Sequence, residues 1–165
     1  MTWPASRSGQ TFAMHPPHLQ RLQKVWIDHP VYFITTCTQG RRPILASLPM
    51  VKILQDEWRS SQKRHGWHIG RFVVMPDHVH FFAVADSAAK PMEQFMAKWK
   101  EWTAKRIISA LQIEPPLWQP RFFDHLLRSS ESYAEKWSYV LENPVRARLV
   151  PSAAEWPFQG HVHFD

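Results

Sequence analysis

An α+β fold built on one antiparallel sheet is predicted by three observations. Strand-like and helix-like segments follow one another in the order strand, helix, strand, strand, helix, strand. Hydrophobic residues make up 44% of the chain, with nine Trp and ten Phe to fill a core. The 165 residues suit a single domain, and no linker marks a second. That order is the ferredoxin-like split βαβ arrangement, with two helices on one face of the sheet. A helix after the fourth strand is an extra element.

Residues 1–30 read as an irregular N-terminal arm containing Pro4, Pro16 and Pro17. The first strand is Val31 to Thr38, rich in β-branched and aromatic residues and closed by Gly40. Gly40-Arg41-Arg42-Pro43 makes a basic turn. A helix starts near Ser47, with Pro49 in its first turn, apolar Val51, Leu54 and Trp58 on one side, and Gly66 as its stop. Trp67 to Met75 and His78 to Val84 read as strands joined tightly through Pro76-Asp77. The second helix runs from Pro91 to about Leu111, with Met92, Phe95, Met96 and Trp99 at helical spacing. Arg121 to Arg128 is expected as the fourth strand. Ser130 to about Glu142 is expected as the third helix, bounded by Asn143-Pro144. The domain thus covers residues 31–150, and residues 151–165 read as a C-terminal tail.

Charge and cysteine content narrow the function classes. Twenty Lys and Arg against fourteen Asp and Glu give a net +6, which favours a polyanionic partner such as nucleic acid. Cys37 is the only cysteine, so an intramolecular disulfide and a multi-thiolate zinc site are excluded, and a reducing cytoplasm is the expected compartment. No segment has the composition of a membrane span or of a signal peptide.

The chemistry centres on His78-Val79-His80. Alternation along a strand sends both imidazoles to one face, where two neutral nitrogens can converge on a divalent ion. In the expected sheet Val79, Phe81 and Ala83 face the helices, leaving His78, His80 and Phe82 on the open side. At about 100° per residue, Tyr133, Trp137, Val140 and Leu141 cluster on one apolar arc of the third helix. Tyr139 points away from that arc, with Ser132, Lys136 and Asn143 beside it. If this polar face meets the open side of the sheet, Asn143 completes a His, His, amide set for Mg²⁺ or Mn²⁺. Tyr139 is then placed to attack a phosphodiester, with Lys136 stabilising the phenolate or phosphate. An isolated His-X-His means little by itself. His161-Val162-His163 repeats the spacing in the expected tail, where no following strand fixes its geometry.

Three segments together carry a resemblance. Met75-Pro76-Asp77-His78-Val79-His80, then Trp118-Gln119-Pro120-Arg121-Phe122-Phe123-Asp124-His125, then Tyr139-Val140-Leu141-Glu142-Asn143-Pro144-Val145-Arg146-Ala147 resemble successive motifs of the REP-associated tyrosine transposases. These are single-tyrosine relatives of the HUH (His, hydrophobic, His) transposases. The resemblance implies a ferredoxin-like nuclease that cuts and rejoins single-stranded DNA with hairpins, such as repetitive extragenic palindromes, through a 5′-phosphotyrosine link. It also implies His78, His80 and Asn143 as metal ligands and Tyr139 as nucleophile, in a bacterial cytoplasmic protein acting at the nucleoid. One departure stands out: Arg148 occupies the position of the family's usual glycine.

Arg41, Arg42, Lys98, Lys105, Arg121 and Arg146 are the candidate DNA contacts. Either a monomer or a homodimer accommodates these signals. Two other readings are weighed beside the transposase: a metal hydrolase in which His78 and His80 activate water, and a non-catalytic DNA-binding module of the same fold.

Overall fold

The computed structural model describes residues 30–165, so the expected N-terminal arm lies outside the described residues except for Pro30. Five strands form one antiparallel sheet: β1 (Val31–Cys37), β2 (Trp67–Val74), β3 (His78–Ala85), β4 (Phe123–Leu127) and β5 (Gln159–His161), in the order β4-β1-β3-β2-β5. The first four reproduce the ferredoxin-like order. The fifth is added at the β2 edge.

Helices α1 (Leu48–His65) and α2 (Met92–Leu111) cover one face. Ser47 is the α1 N-cap, Pro49 sits in the first turn, and Gly66 ends the helix at φ 76°, a left-handed conformation glycine adopts without a Cβ clash. Trp58 and Trp99 stack between the helices, ring centroids 5.4 Å apart, and Trp58 also packs on Phe72 and Phe81 of the sheet. Val79, Phe81 and Ala83 belong to this core, as their alternation requires. Trp118 completes it, its indole donating to the Thr103 hydroxyl at 2.9 Å.

The other face is not left open. Helix α3 (Ser130–Leu141) lays Tyr133 and Val140 over Phe82, Val73 and Phe33, and Trp156 and Phe164 close the same cluster. Expected as a tail, residues 151–165 are therefore part of the fold. Trp156 donates its indole N–H to the Val74 carbonyl at 3.0 Å. Phe164 lies over Gly70, where an added Cβ would come within 2.4 Å of the ring. The backbone of β2 gains partners along an edge that would otherwise be unpaired. His163 is tied down on both sides, its Nδ1 accepting from the Ile69 N–H at 2.9 Å and its Nε2 reaching the Arg59 carbonyl at 3.3 Å. The near copy of the histidine motif thus serves as a clasp.

The third helix stops where expected, at Leu141 just before Asn143-Pro144, but a further turn begins there. After Glu142, Asn143 and Pro144 begin a one-turn helix, α4 (Asn143–Arg146), because proline is tolerated in a first turn, where its missing N–H has no helical partner. That turn ends with Arg148 at φ 58°, Arg148 N–H bonded to the Val145 carbonyl and Leu149 N–H to the Pro144 carbonyl, both at 2.9 Å. This is a Schellman cap with arginine in the left-handed position. The departure from glycine keeps the turn and places a side chain where one is unfavourable by about 1–2 kcal/mol.

Two stability measurements follow. Phe164→Ala should destabilise the protein by about 3–5 kcal/mol in urea unfolding, as for a core aromatic; a free tail would show no change. Arg148→Gly should raise stability by about 0.5–1 kcal/mol, the relieved strain exceeding the added chain entropy, and lift Tm by about 2–4 °C per kcal/mol.

Candidate active site

Strand register builds the site. Thr35 pairs with His80 and Cys37 with His78 across β1 and β3, so all four share the face on which α3 docks. His80 Nδ1 lies 2.7 Å from the Thr35 hydroxyl, and His78 Nδ1 lies 2.7 Å from Asp77 Oδ1. Arg41 Nε holds the other Asp77 oxygen at 2.8 Å. With each Nδ1 engaged, Nε2 is the nitrogen available to an incoming group. The rings stand edge to face, centroids 4.7 Å apart, and His80 stacks on Phe33 at 5.4 Å.

Burial keeps this pair neutral. His80 is pushed down to about 3, first by loss of hydration and then by the nearby His78, Arg41, Arg146 and Lys136. Burial also lowers His78, against the opposing pull of Asp77. Neutral imidazole is the metal-binding form.

Helix α3 meets the sheet through the apolar arc read from its sequence. Tyr133 lies 4.6 Å and Trp137 6.2 Å from Phe82, ring to ring, and burial pushes the Tyr133 phenol up to about 12. Lys136 Nζ sits 5.2 Å from the Phe33 ring and 5.9 Å from the Tyr139 ring, bridging the His80 stack and the tyrosine. Tyr139 is 62% exposed. The Arg146 guanidinium lies 4.1 Å from the Tyr139 ring and donates to the Tyr139 carbonyl at 2.7 Å and to Asn143 Oδ1. Tyr139, Asn143 and Arg146 are thereby one unit at the end of α3.

Comparison with known families decides the assignment. The family described as "Transposase IS200 like" matches residues 27–140, more than half of the chain. The chain belongs to the IS200-like transposase family. It is 24% identical over 140 residues to the REP-associated tyrosine transposase of Escherichia coli K12, covering 85% of this chain and 81% of the relative. Its fold is similar to a REP-associated tyrosine transposase solved with a REP hairpin: TM-score 0.65, 24% identity, 79% of this chain and 75% of that one. A crystal structure assigned as a transposase from Deinococcus radiodurans gives TM-score 0.53 at 24% identity, over 68% of this chain and 88% of that one.

In this IS200-like transposase the predicted residues separate by position. The His78 and His80 rings lie 4.7 Å apart, Lys136, Arg41 and Arg146 add positive charge around His80, and Tyr139 is exposed on α3. Asn143 is at the helix end, its side-chain oxygen bonded to Arg146 rather than to either imidazole. Arg42 donates to the Glu114 carbonyl at 3.0 Å and to the Pro116 carbonyl, pinning the loop after α2. Lys98 and Lys105 both pair with Glu101 on α2, the layer behind the sheet. Arg121 is exposed just before β4. Sequence reasoning did not find Thr35, Asp77 or Phe33 as supports. Asp77 was adjacent to the motif, but Thr35 and Phe33 become partners only through pairing across the sheet.

Among the described residues no group of three or more His, Cys, Asp or Glu side chains is arranged to hold a metal ion. His78 and His80 are the two neutral nitrogen donors brought together here, while the Asn143 amide oxygen is held by Arg146. Two neutral imidazoles suit a divalent ion, and the Asn143 oxygen would have to leave Arg146 to join them.

Burial of His80 makes stability pH-dependent. The unfolded chain takes up a proton near 6.5, whereas folded His80 does so only at about 3. Stability of the metal-free protein should thus be full above pH 6.5 and fall as pH drops toward 3. Urea unfolding at pH 7 and pH 5 checks this: His80→Gln should flatten the dependence, and an unchanged slope would contradict it.

Proposed function

We propose that this chain is a metal-dependent single-stranded DNA endonuclease and strand transferase that works through a covalent phosphotyrosine. The observation that supports the reading is a neutral histidine pair, each Nδ1 held and Nε2 available, with Lys136 of α3 over Phe33 on the same sheet face and within 5.9 Å of the Tyr139 ring. His78, His80 and Asn143 are the residues that would hold Mg²⁺ or Mn²⁺. Such an ion supplies charge stabilisation to the phosphate oxygens when bound.

The remaining chemistry belongs to the chain. The Tyr139 oxygen attacks the phosphorus, its proton passing to solvent. The bond from phosphorus to the 3′ oxygen breaks, and that oxygen takes up a proton to leave a free 3′ hydroxyl. The other strand end stays joined to Tyr139 through its 5′ phosphate. Attack by a 3′ hydroxyl reverses the step, so rejoining needs no ATP. Lys136 offsets negative charge on the phenolate and phosphate, and Arg146 orients the Tyr139 ring and Asn143 together. Arg41, Arg121 and Arg146 are the candidate backbone contacts nearest this chemistry.

The substrate class follows from the relatives. One is named for REP elements and the solved one was bound to a REP hairpin. Hairpin-bearing repetitive palindromes in bacterial cytoplasmic DNA are the proposed target. The net charge of +6 suits that polyanion, and among the described residues no helix is long and apolar enough to cross a membrane.

The test is a cleavage assay on end-labelled, hairpin-bearing single strands with Mg²⁺ or Mn²⁺. A DNA–protein adduct that survives SDS is expected, and Tyr139→Phe should abolish it with a loss of at least about 10³-fold in cleavage. Cleavage retained by Tyr139→Phe would replace the proposal with water-activating hydrolysis. Binding without any product or metal requirement would replace it with a DNA-binding module.

A further inference from the structure

We propose that the exposed edge of β4 is a nucleobase shelf: Phe123 stacks the base of a nucleotide beside the scissile phosphate, and the adjoining His125–Arg128 cleft takes the next nucleotide. This rests on the DNA-cleavage reading above. It concerns residues that reading leaves without a role.

Register fixes the placement. Thr35 of β1 pairs with His80 on one side and with Phe123 on the other, so the three side chains lie in one row on one face of the sheet. In the next row Phe33 pairs with His125 and with Phe82. Leu127, two residues further along β4, is buried in the cluster beneath α3, which confirms that odd-numbered β4 residues share the histidine face. Two strand spacings of about 4.8 Å each separate Phe123 from His80, about 10 Å in all.

Exposure sets Phe123 apart. It is 57% exposed, whereas Phe33, Phe81 and Phe82 in the neighbouring strands are buried. Its open ring face, in the same row as His80, is a surface on which a base can stack. Beside it, His125, Leu126, Leu127, Arg128 and Ser132 line a 390 Å³ cleft between β4 and the start of α3. The cleft joins apolar walls to an imidazole, a hydroxyl and a guanidinium, which suits a base edge and a phosphate together.

Charge selects the occupant. Lys136, Arg146 and Arg41 surround His80, and Arg128 extends the positive field along β4. A flexible strand carrying a phosphate per nucleotide matches this alternation of cation and ring. A duplex does not, because its bases are stacked on one another and present no free face to Phe123.

The test places 5-iodouracil singly at each position of the unpaired arms flanking a hairpin and irradiates the complex with the non-cleaving Tyr139→Phe protein. One position, or two adjacent ones, should crosslink to the peptide containing Phe123. Phe123→Leu, which keeps apolar bulk without a π face, should remove that crosslink and weaken binding about 5- to 150-fold. Phe123→Tyr should retain both. Arg128→Ala should reduce the dependence of log Kd on log salt by about one. Crosslinks confined to other residues, or an unchanged Kd in Phe123→Leu, would overturn the shelf. The adduct assay on the native protein remains a separate readout: its failure alongside a Phe123-dependent crosslink would remove the cleavage chemistry and leave the shelf standing.

Discussion

Everything at the site depends on the pairing of β1 with β3. Because side chains alternate with a period of two, a slip of one residue would send His78 and His80 into the core with α1 and α2 and turn Val79 and Phe81 outward. The register that sets Thr35 against His80 also gives that imidazole its hydroxyl partner and its stacking ring, Phe33. Packing on both faces locks it. Trp58 and Trp99 hold Phe81 on one side, while Tyr133 and Trp137 hold Phe82 on the other.

Burial of the second face has a chemical consequence. Covering Phe33 and Phe82 with α3 removes water from around His80, and the arriving Lys136 and Arg146 add positive charge. Both effects disfavour the imidazolium. The helix that carries Tyr139 therefore also keeps His80 neutral. Arg146 links the two halves, touching Tyr139 and Asn143 while contributing to the field at His80.

Much of this was legible from local pattern. Gly66 and Pro49 marked the bounds of α1, the His-X-His alternation gave the face of the sheet, and the apolar arc of α3 separated buried Tyr133 from exposed Tyr139. What stayed hidden arises from long-range contacts. β5 is only three residues long, with a glycine at its centre, so it has no periodicity of its own and forms because β2 offers an edge. Asn143-Pro144 carries signals for both a helix stop and a helix start, and the structure uses both: α3 ends at Leu141 and α4 begins at Asn143. Thr35 looks like any strand threonine until β3 is placed against it. The grip of Arg146 on Asn143 likewise required the geometry of α4.

His78 and His80 are held at Nδ1 and are proposed to present neutral Nε2 atoms to a divalent ion. Imidazole ¹⁵N NMR at pH 7 with Mn²⁺ titrated in tests this most directly. A protonated Nδ1 and an unprotonated Nε2 are expected for both rings, with their resonances broadened first, followed by the Asn143 amide. Protonated Nε2 on the pair, or early broadening at His161 and His163 while His78 and His80 stay sharp, would contradict it.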